Sequence, residues 1–285
     1  MQIGHYSLSR EPFIVAELSS NHEQDYAKAV SLIFAAKEAG ADAVKVQMFT
    51  PDMGDKTGRF TDGLWQGMSL YEIYEKACMP IEWVPLLKEL AESLGMVFFS
   101  TVYEPEMVDV AEGMGLCAYK ISSMESDYQP LIEKVAKTGK PMIISTGGLT
   151  YTDIHRLKNI IRPYQRHFAL LHCVSQYPAK VEDSNLMTLT DMSRSFTRYV
   201  GISDHSQGTA VAIASVGWGA CIVEKHLTLS KNTLDGAFSL LPEEFKQLVN
   251  GCKDAAKAIG KVGYGGKRLV NRKEINGKNV RVIGG

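Results

Sequence analysis

The sequence predicts a single-domain α/β protein, a (β/α)8 TIM barrel, on three observations. Eight short runs rich in β-branched and aromatic residues alternate with longer amphipathic runs from residue 13 to about 260. The chain has 285 residues, 45% of them hydrophobic, which suits one such barrel and supplies a full core. Two histidines, His205 and His226, close consecutive strand-like runs 21 residues apart, the length of one β/α unit.

The opening MQIGHYSLSR reads as a strand pair plugging the bottom of the barrel. FIVAEL (13–18) is the first barrel strand, DYAKAVSLIFAAKEAG (25–40) the helix after it, and AVKVQMF (43–49) the second strand. Residues 50–80, punctuated by Pro51, Gly54, Gly58, Gly63 and Gly67, exceed an ordinary βα loop of about 2–6 residues and read as an inserted lid or interface. The helix IEWVPLLKELAESLG (81–95) leads to MVFFSTV (96–102), followed by AYKISS (118–123), PMIISTG (141–147), FALLHCV (168–174), VGISDH (200–205) and CIVEKHL (221–227). Helices YQPLIEKVAKTG (128–139), GTAVAIASVGWG (208–219) and PEEFKQLVNGCKDAAKAIG (242–260) lie among the connections, several ending at glycine, the usual left-handed stop. Strands joined by crossover helices specify a parallel sheet, and eight of them close a barrel. The barrel domain is therefore assigned to 1–263, and 264–285 to a short basic, glycine-rich tail.

A net charge of −1 gives no general attraction for nucleic acid or an anionic membrane, so the expected partner is a small molecule. Five scattered cysteines without a C-x-x-C pair read as buried thiols in a reducing compartment. No secretory leader and no apolar run of about 18 residues is found, which predicts a cytoplasmic protein.

Side chains alternate along a strand, so residues two apart share a face, and one face lines the barrel. Val15 with Glu17, Lys45 with Gln47, Ile143 with Ser145, Ser203 with His205, and Glu224 with His226 fall on common faces. The interior therefore turns polar towards the C-terminal rim, where barrel enzymes keep their chemistry. Buried charges are costly unless paired or coordinated, so Glu17, Lys45, Lys120, Glu125, His205, Glu224 and His226 together call for a ligand. Lys45 and Lys120 suit a phosphate or carboxylate, with hydroxyls of Thr101, Ser122, Ser123, Ser145 and Ser203 completing its coordination. His205 and His226 supply two metal ligands. The remainder must be carboxylate, water or substrate, which suits Mn2+, Co2+ or Fe2+ better than closed tetrahedral Zn2+. His5, His155, His167 and His172 read as hydrogen-bonded histidines, while His22 contacts substrate or caps the first βα loop.

The strings VAELSSNHEQD (15–25), AAKEAGADAVKVQMF (35–49), FFSTVYEPE (98–106), AYKISSME (118–125), KTGKPMIISTGG (137–148), LLHCVSQYPAKVEDSNL (170–186), VGISDHSQG (200–208), ACIVEKHLTL (220–229) and DGAFSLLPEE (235–244) occur in order. Together they resemble the catalytic barrel of the sialic acid synthase family, the phosphoenolpyruvate-condensing N-acetylneuraminate synthases and their legionaminate and pseudaminate relatives. The resemblance implies a metal-dependent condensation of phosphoenolpyruvate with an N-acylated hexosamine such as N-acetylmannosamine. The products would be a 3-deoxy-2-keto sugar acid and phosphate. It implies that His205 and His226 hold the metal, usually Mn2+, with Co2+ or Mg2+ as alternatives. It implies that Lys45, Thr101, Lys120, Ser123, Ser145 and Ser203 hold the donor. Gln47, Tyr177, Glu17, Glu125 and Asp235 match residues around the acceptor and the reacting carbons, the last three as catalytic groups. Ser175 stands where bacterial relatives carry asparagine, and matches a phosphate contact.

Family members usually continue into a small antifreeze-like domain that sends an arginine into the partner's site, and this chain stops before it. The 50–80 insertion, the tail with Arg268, Arg272 and Arg281, another polypeptide or a different acceptor would then account for that contact. A homodimer is the expected assembly. Two other chemistries fit the residues: an aldol synthase making a Kdo-like or heptulosonate product, and a Schiff-base aldolase using Lys45, Lys120 or Lys225. A binding or scaffolding barrel is the non-enzymatic reading, although the metal, anion and carboxylate positions are all present.

Overall fold

A computed structural model describes residues 1–9, 11–264 and 270–283. Eight parallel strands close the barrel: β1 (Phe13–Glu17), β2 (Ala43–Met48), β3 (Val97–Val102), β4 (Tyr119–Ile121), β5 (Met142–Ser145), β6 (Phe168–Cys173), β7 (Val200–Asp204) and β8 (Ile222–His226), with β8 pairing back onto β1. The predicted fold class holds. An outer layer carries α1 (Tyr26–Ala39), α2 (Leu70–Ala77), α3 (Trp83–Ser93), α4 (Pro105–Gly113), α5 (Gln129–Lys137), α6 (Tyr151–Ile161), α7 (Met187–Ser195), α8 (Ala210–Gly217) and α9 (Pro242–Ile259). No helix among the described residues is long and apolar enough to cross a membrane.

Local chemistry sets the element ends. Asp25 caps α1 by accepting from the backbone N–H groups of Ala27 and Lys28, and Gly40, at φ 87°, provides its left-handed stop. Inside the 50–80 segment, Ser69 and Glu72 form a reciprocal capping box that starts α2.

The strand faces sort as period-two alternation requires. Ile14, Ala16, Val44, Val46, Phe98, Tyr119, Ile144, Leu170, Ile202 and Val223 point outward into the helix layer. Phe13, Val15, Ala43, Val97, Phe99, Ala118, Ile143, Ala169, Leu171 and Ile222 fill the lower barrel with Ile3. Ile3 belongs to an antiparallel pair, Gln2–Ile3 with Tyr6–Ser7, that closes the bottom of this core. Two or four residues further along the same strands, the inward set becomes Glu17, Lys45, Gln47, Thr101, Lys120, Ser145, Ser203, Glu224 and His226. The apolar plug therefore places the polar set at the C-terminal mouth.

Residues 50–80 pack Ile73, Tyr74, Trp65, Met68 and Leu70 against Phe49 and Tyr103, an apolar cluster separate from the barrel core. Near the C-terminus, Val270–Ile275 and Lys278–Ile283 pair as a hairpin. Its two-residue turn, Asn276 and Gly277, has positive φ at both positions, the geometry that matches strand twist. Arg272 and Arg281 are cross-strand partners on it, whereas Arg268 lies outside the described residues. All five cysteines are free.

Candidate active site

A cavity of about 270 Å³ opens at the C-terminal mouth of the barrel. Of the residues singled out from sequence, Lys45, Gln47, Thr101, Lys120, Ser122, Ser123, Ser145, Ser175, Tyr177, Ser203, His205, Glu224, His226 and Asp235 line it. Glu17 and Glu125 do not, and neither do Arg272 and Arg281.

The floor is an ion-paired lattice built by strand register. Glu17 and Lys45 are direct neighbours across β1 and β2, and Lys45 Nζ sits 2.5 Å from Glu17 Oε2 while donating to Thr101 Oγ1 at 2.8 Å. Lys120 donates to Ser145 Oγ at 2.7 Å. Glu224 Oε1 lies 3.7 Å from both ammonium groups and accepts from Ser203 Oγ at 3.0 Å. Both lysines and both carboxylates are fully enclosed. Burial pushes the Lys120 ammonium below its usual range, and Glu224 only partly offsets this. The contacts to Glu17 and Glu224 instead keep Lys45 above its own range against burial. Two lysines and hydroxyls from three further strands thus present donors to one small volume, which is how a protein holds a compact anion.

Glu17 acts from beneath the cavity. Its Oε1 accepts from Ser19 N at 2.9 Å and from Gln47 Nε2 at 3.0 Å, and Tyr103 donates to Gln47 Oε1 at 2.8 Å. Gln47 is thereby held as the polar group of the side wall. Glu125 sits at the rim, half-buried, accepting from the Ser122 hydroxyl. Burial raises its carboxyl above the usual range.

The two histidine rings face each other at 5.4 Å between centroids. Rings that share one metal at about 2.1 Å from each nitrogen must have centroids within roughly 6–7 Å, so the pair satisfies that limit. His205 Nδ1 lies 3.1 Å from the Val174 carbonyl, which can only accept, so in the neutral ring the other nitrogen presents its lone pair; against burial, Cys173 and this carbonyl hold the ring above its ordinary range, so a cation must displace a proton there. His226 Nδ1 is buried without a hydrogen-bond partner, 3.8 Å from Asp235 Oδ2. Burial, then His205 and the lysines, hold the His226 ring far below its ordinary range and therefore neutral, as a metal ligand must be. Among the described residues, no cluster of three or more His, Cys, Asp or Glu side chains is arranged to hold a metal. The donor pair and the orphaned nitrogen fit a cation whose remaining positions go to water or substrate.

Apart from Tyr177, the reading from sequence missed the aromatic and apolar upper wall. Tyr177 stacks 4.4 Å from His205, Phe238 lies 4.8 Å from His226, and Trp65 packs 5.3 Å from Tyr177. Phe60, Leu70, Ile73 and Leu234 also line the cavity. Aromatic residues in long loops give no periodic signal, and only folding brings 60–74 and 234–238 over the same mouth. Gly147 was also missed. A Cβ there would stand 2.2 Å from Ser175 Oγ and 2.8 Å from Ser123 Oγ, so only glycine leaves both hydroxyls in place.

Three further side chains lie outside the cavity lining. His172 is hydrogen-bonded, as the sequence predicts, and faces out, 2.8 Å from the Ser184 carbonyl, because Leu171 and Cys173 take the inward positions. Lys225, considered as a Schiff-base nucleophile, also points outward between Glu224 and His226, and pairs with Asp204 at 2.9 Å. His22 caps its loop: Nδ1 accepts from Gln24 N at 3.0 Å, and the ring packs edge-on to Trp83.

The model of the NeuB family matches residues 32–264. Pseudaminic acid synthase of Campylobacter jejuni is 37% identical over 282 residues, covering 95% of this chain and 82% of the relative. Pseudaminic acid synthase of Helicobacter pylori is 39% identical over 257 residues, covering 87% and 76%. The crystal structure of N-acetylneuraminic acid (sialic acid) synthetase from Leptospira borgpetersenii, in complex with citrate, superposes with a TM-score of 0.85 at 27% identity, over 94% of this chain and 92% of that one.

Proposed function

The chain belongs to the NeuB family of sialic-acid-type synthases, enzymes that condense phosphoenolpyruvate with a sugar, and we propose that its acceptor is an unphosphorylated N-acylated hexosamine and its cofactor a divalent metal. The observation that carries this reading is the division of one cavity into a two-lysine, hydroxyl-rich floor and an aromatic wall, with two imidazoles between them.

On this reading, Lys45 and Lys120 hold the donor's phosphate and carboxylate, and Thr101, Ser123, Ser145, Ser175 and Ser203 direct hydrogen bonds to its oxygens. His205 and His226 would hold Mn2+, or Co2+ or Mg2+ in its place, and the cation when bound supplies Lewis-acid polarisation of the acceptor aldehyde. Gln47, Tyr177 and Asp235 orient the open-chain sugar so that its aldehyde carbon meets C3 of phosphoenolpyruvate. Asp235, whose carboxyl burial raises above its usual range, exchanges the proton of the new hydroxyl, while Glu17 holds Gln47 against the acceptor. Glu125 guides water to C2 from the rim. Phosphate then leaves with the bridging oxygen, and the 2-keto group forms.

Lys45 and Lys120 are the only Lys or Arg side chains lining the cavity among the described residues. With the donor bound to them, a sugar phosphate would meet no further Lys or Arg among the described lining residues, which favours a neutral acceptor over the phosphorylated aldoses of Kdo-like synthases. The apolar wall suits the methyl of an N-acyl group. Phosphate release from phosphoenolpyruvate should be assayed with N-acetylmannosamine, other N-acylated hexosamines, mannose and their 6-phosphates, with Mn2+ or with EDTA. The expected result is release with an N-acyl amino sugar and Mn2+ only. Turnover in EDTA, or trapping of pyruvate on a lysine by borohydride, would replace this reading by a Schiff-base mechanism.

A further inference from the structure

His205 lies one residue past the end of β7, beyond the last ladder pair with β8, where its carbonyl accepts from Ala179 N at 3.0 Å on the side of β6. What ties the chain there to β8 is on the outer face. Asp204 and Lys225 are register partners across β7 and β8, each immediately preceding one histidine. Alternation turns both away from the cavity as it turns both histidines into it. Lys225 is 0% exposed and Asp204 3%. Lys225 Nζ donates to Asp204 Oδ2 at 2.9 Å and also to the Ser206 carbonyl, while Asp204 Oδ1 accepts from Ser206 N at 2.8 Å. Both residues flanking His205 are therefore tied to the strand that carries His226.

Such a pair is difficult to explain as a source of stability. Desolvating two charges consumes most of their attraction, and apolar replacements of similar volume are often neutral or better. Its distinctive effect is geometric. Adjacent strands lie about 4.7–4.9 Å apart, and the two rings are separated by 5.4 Å, so the gap between them follows the backbone spacing.

We propose that Asp204 and Lys225, with Ser206, are positioning residues that set the gap between His205 and His226 from outside the barrel. The proposal rests on the reading of those histidines as the metal site. A change in the knot moves His205 relative to His226 and alters the cation site. The donor cradle, whose lysines and most of whose hydroxyls come from β2 to β5 and their loops, is left in place.

The test compares wild type, Asp204→Leu/Lys225→Met and Asp204→Asn, with folding checked by circular dichroism and melting. Mn2+ affinity is read by electron paramagnetic resonance, and kcat and KM by turnover. The apolar double variant is expected to fold and to bind Mn2+ about tenfold or more weakly, the scale of outer-shell support. Its kcat should fall with KM for phosphoenolpyruvate within about twofold of wild type, the mark of support confined to the cation site. Asp204→Asn keeps the acceptor for Ser206 N and should show a smaller loss, so the comparison survives failure of the double variant to fold. A wild-type protein that binds no Mn2+ would refute the metal reading itself. Wild-type binding with unchanged affinity in either folded variant would overturn the positioning role alone.

Discussion

Lys120→Met separates donor binding from stability better than any other single change in the cavity. Lys120 approaches no carboxylate closer than the 3.7 Å to Glu224, and Glu224 retains Lys45 and the Ser203 hydroxyl when Lys120 is gone. Little stability should be lost. A charge-assisted hydrogen bond contributes about 1.5–3 kcal/mol, so KM for phosphoenolpyruvate should rise roughly 10- to 150-fold. Lys45 differs because it sits 2.5 Å from the fully buried Glu17. Its loss leaves an uncompensated buried carboxylate, a cost of about 3–5 kcal/mol, or roughly 6–15 °C in melting temperature for a domain of this size. Lys45→Met should therefore raise KM and lower the melting temperature together, and adding Glu17→Gln should restore the melting temperature but not KM. Initial rates of phosphate release against donor concentration, with thermal melts of all four proteins, make the comparison. An unchanged KM in Lys120→Met would refute the anion cradle, whatever the melts show.

Replacing His205 or His226 by alanine should lower kcat by at least about 10²-fold, the scale of lost electrophilic stabilisation, and near-normal turnover by either variant would dispose of the metal assignment. Gly147→Ala should fold normally yet raise KM for the donor, because the added methyl displaces the Ser175 and Ser123 hydroxyls; unaltered kinetics would mean that these hydroxyls do not contact it. His22 supplies a pH test of stability. Burial depresses its folded pKa to about 4, against about 6.5 unfolded, so its contribution is complete above pH 6.5 and is lost as pH falls from 6.5 towards 4. The loss by pH 5 is about 2 kcal/mol, and urea melts of wild type and His22→Gln should converge by that amount between pH 8 and pH 5; parallel curves would contradict it.

Much of the site was legible because a strand's period is exact. Once FIVAEL, AVKVQMF, VGISDH and CIVEKHL are recognised as strands, alternation alone assigns Glu17, Lys45, Gln47, Ser203, Glu224 and His226 to the interior. The same rule turns Lys225 outward between Glu224 and His226. It could not reveal that Glu17 lies under Lys45, outside the cavity, since that depends on register between two strands and on the length of both side chains.

The amino-acid order by itself determined eight parallel strands, the polar upper rim and the pairing of His205 with His226 one β/α unit apart, because these depend on local periodicity and on a closure that eight strands satisfy. Only the tertiary structure decided the rest. It brought Trp65, Tyr177 and Phe238 over one mouth, made Gly147 a close approach to two hydroxyls, and tied Asp204 to Lys225 behind the histidines. Those contacts join residues from 21 to 112 positions apart, most of them on loops that carry no period, so their partners become defined only when the barrel closes.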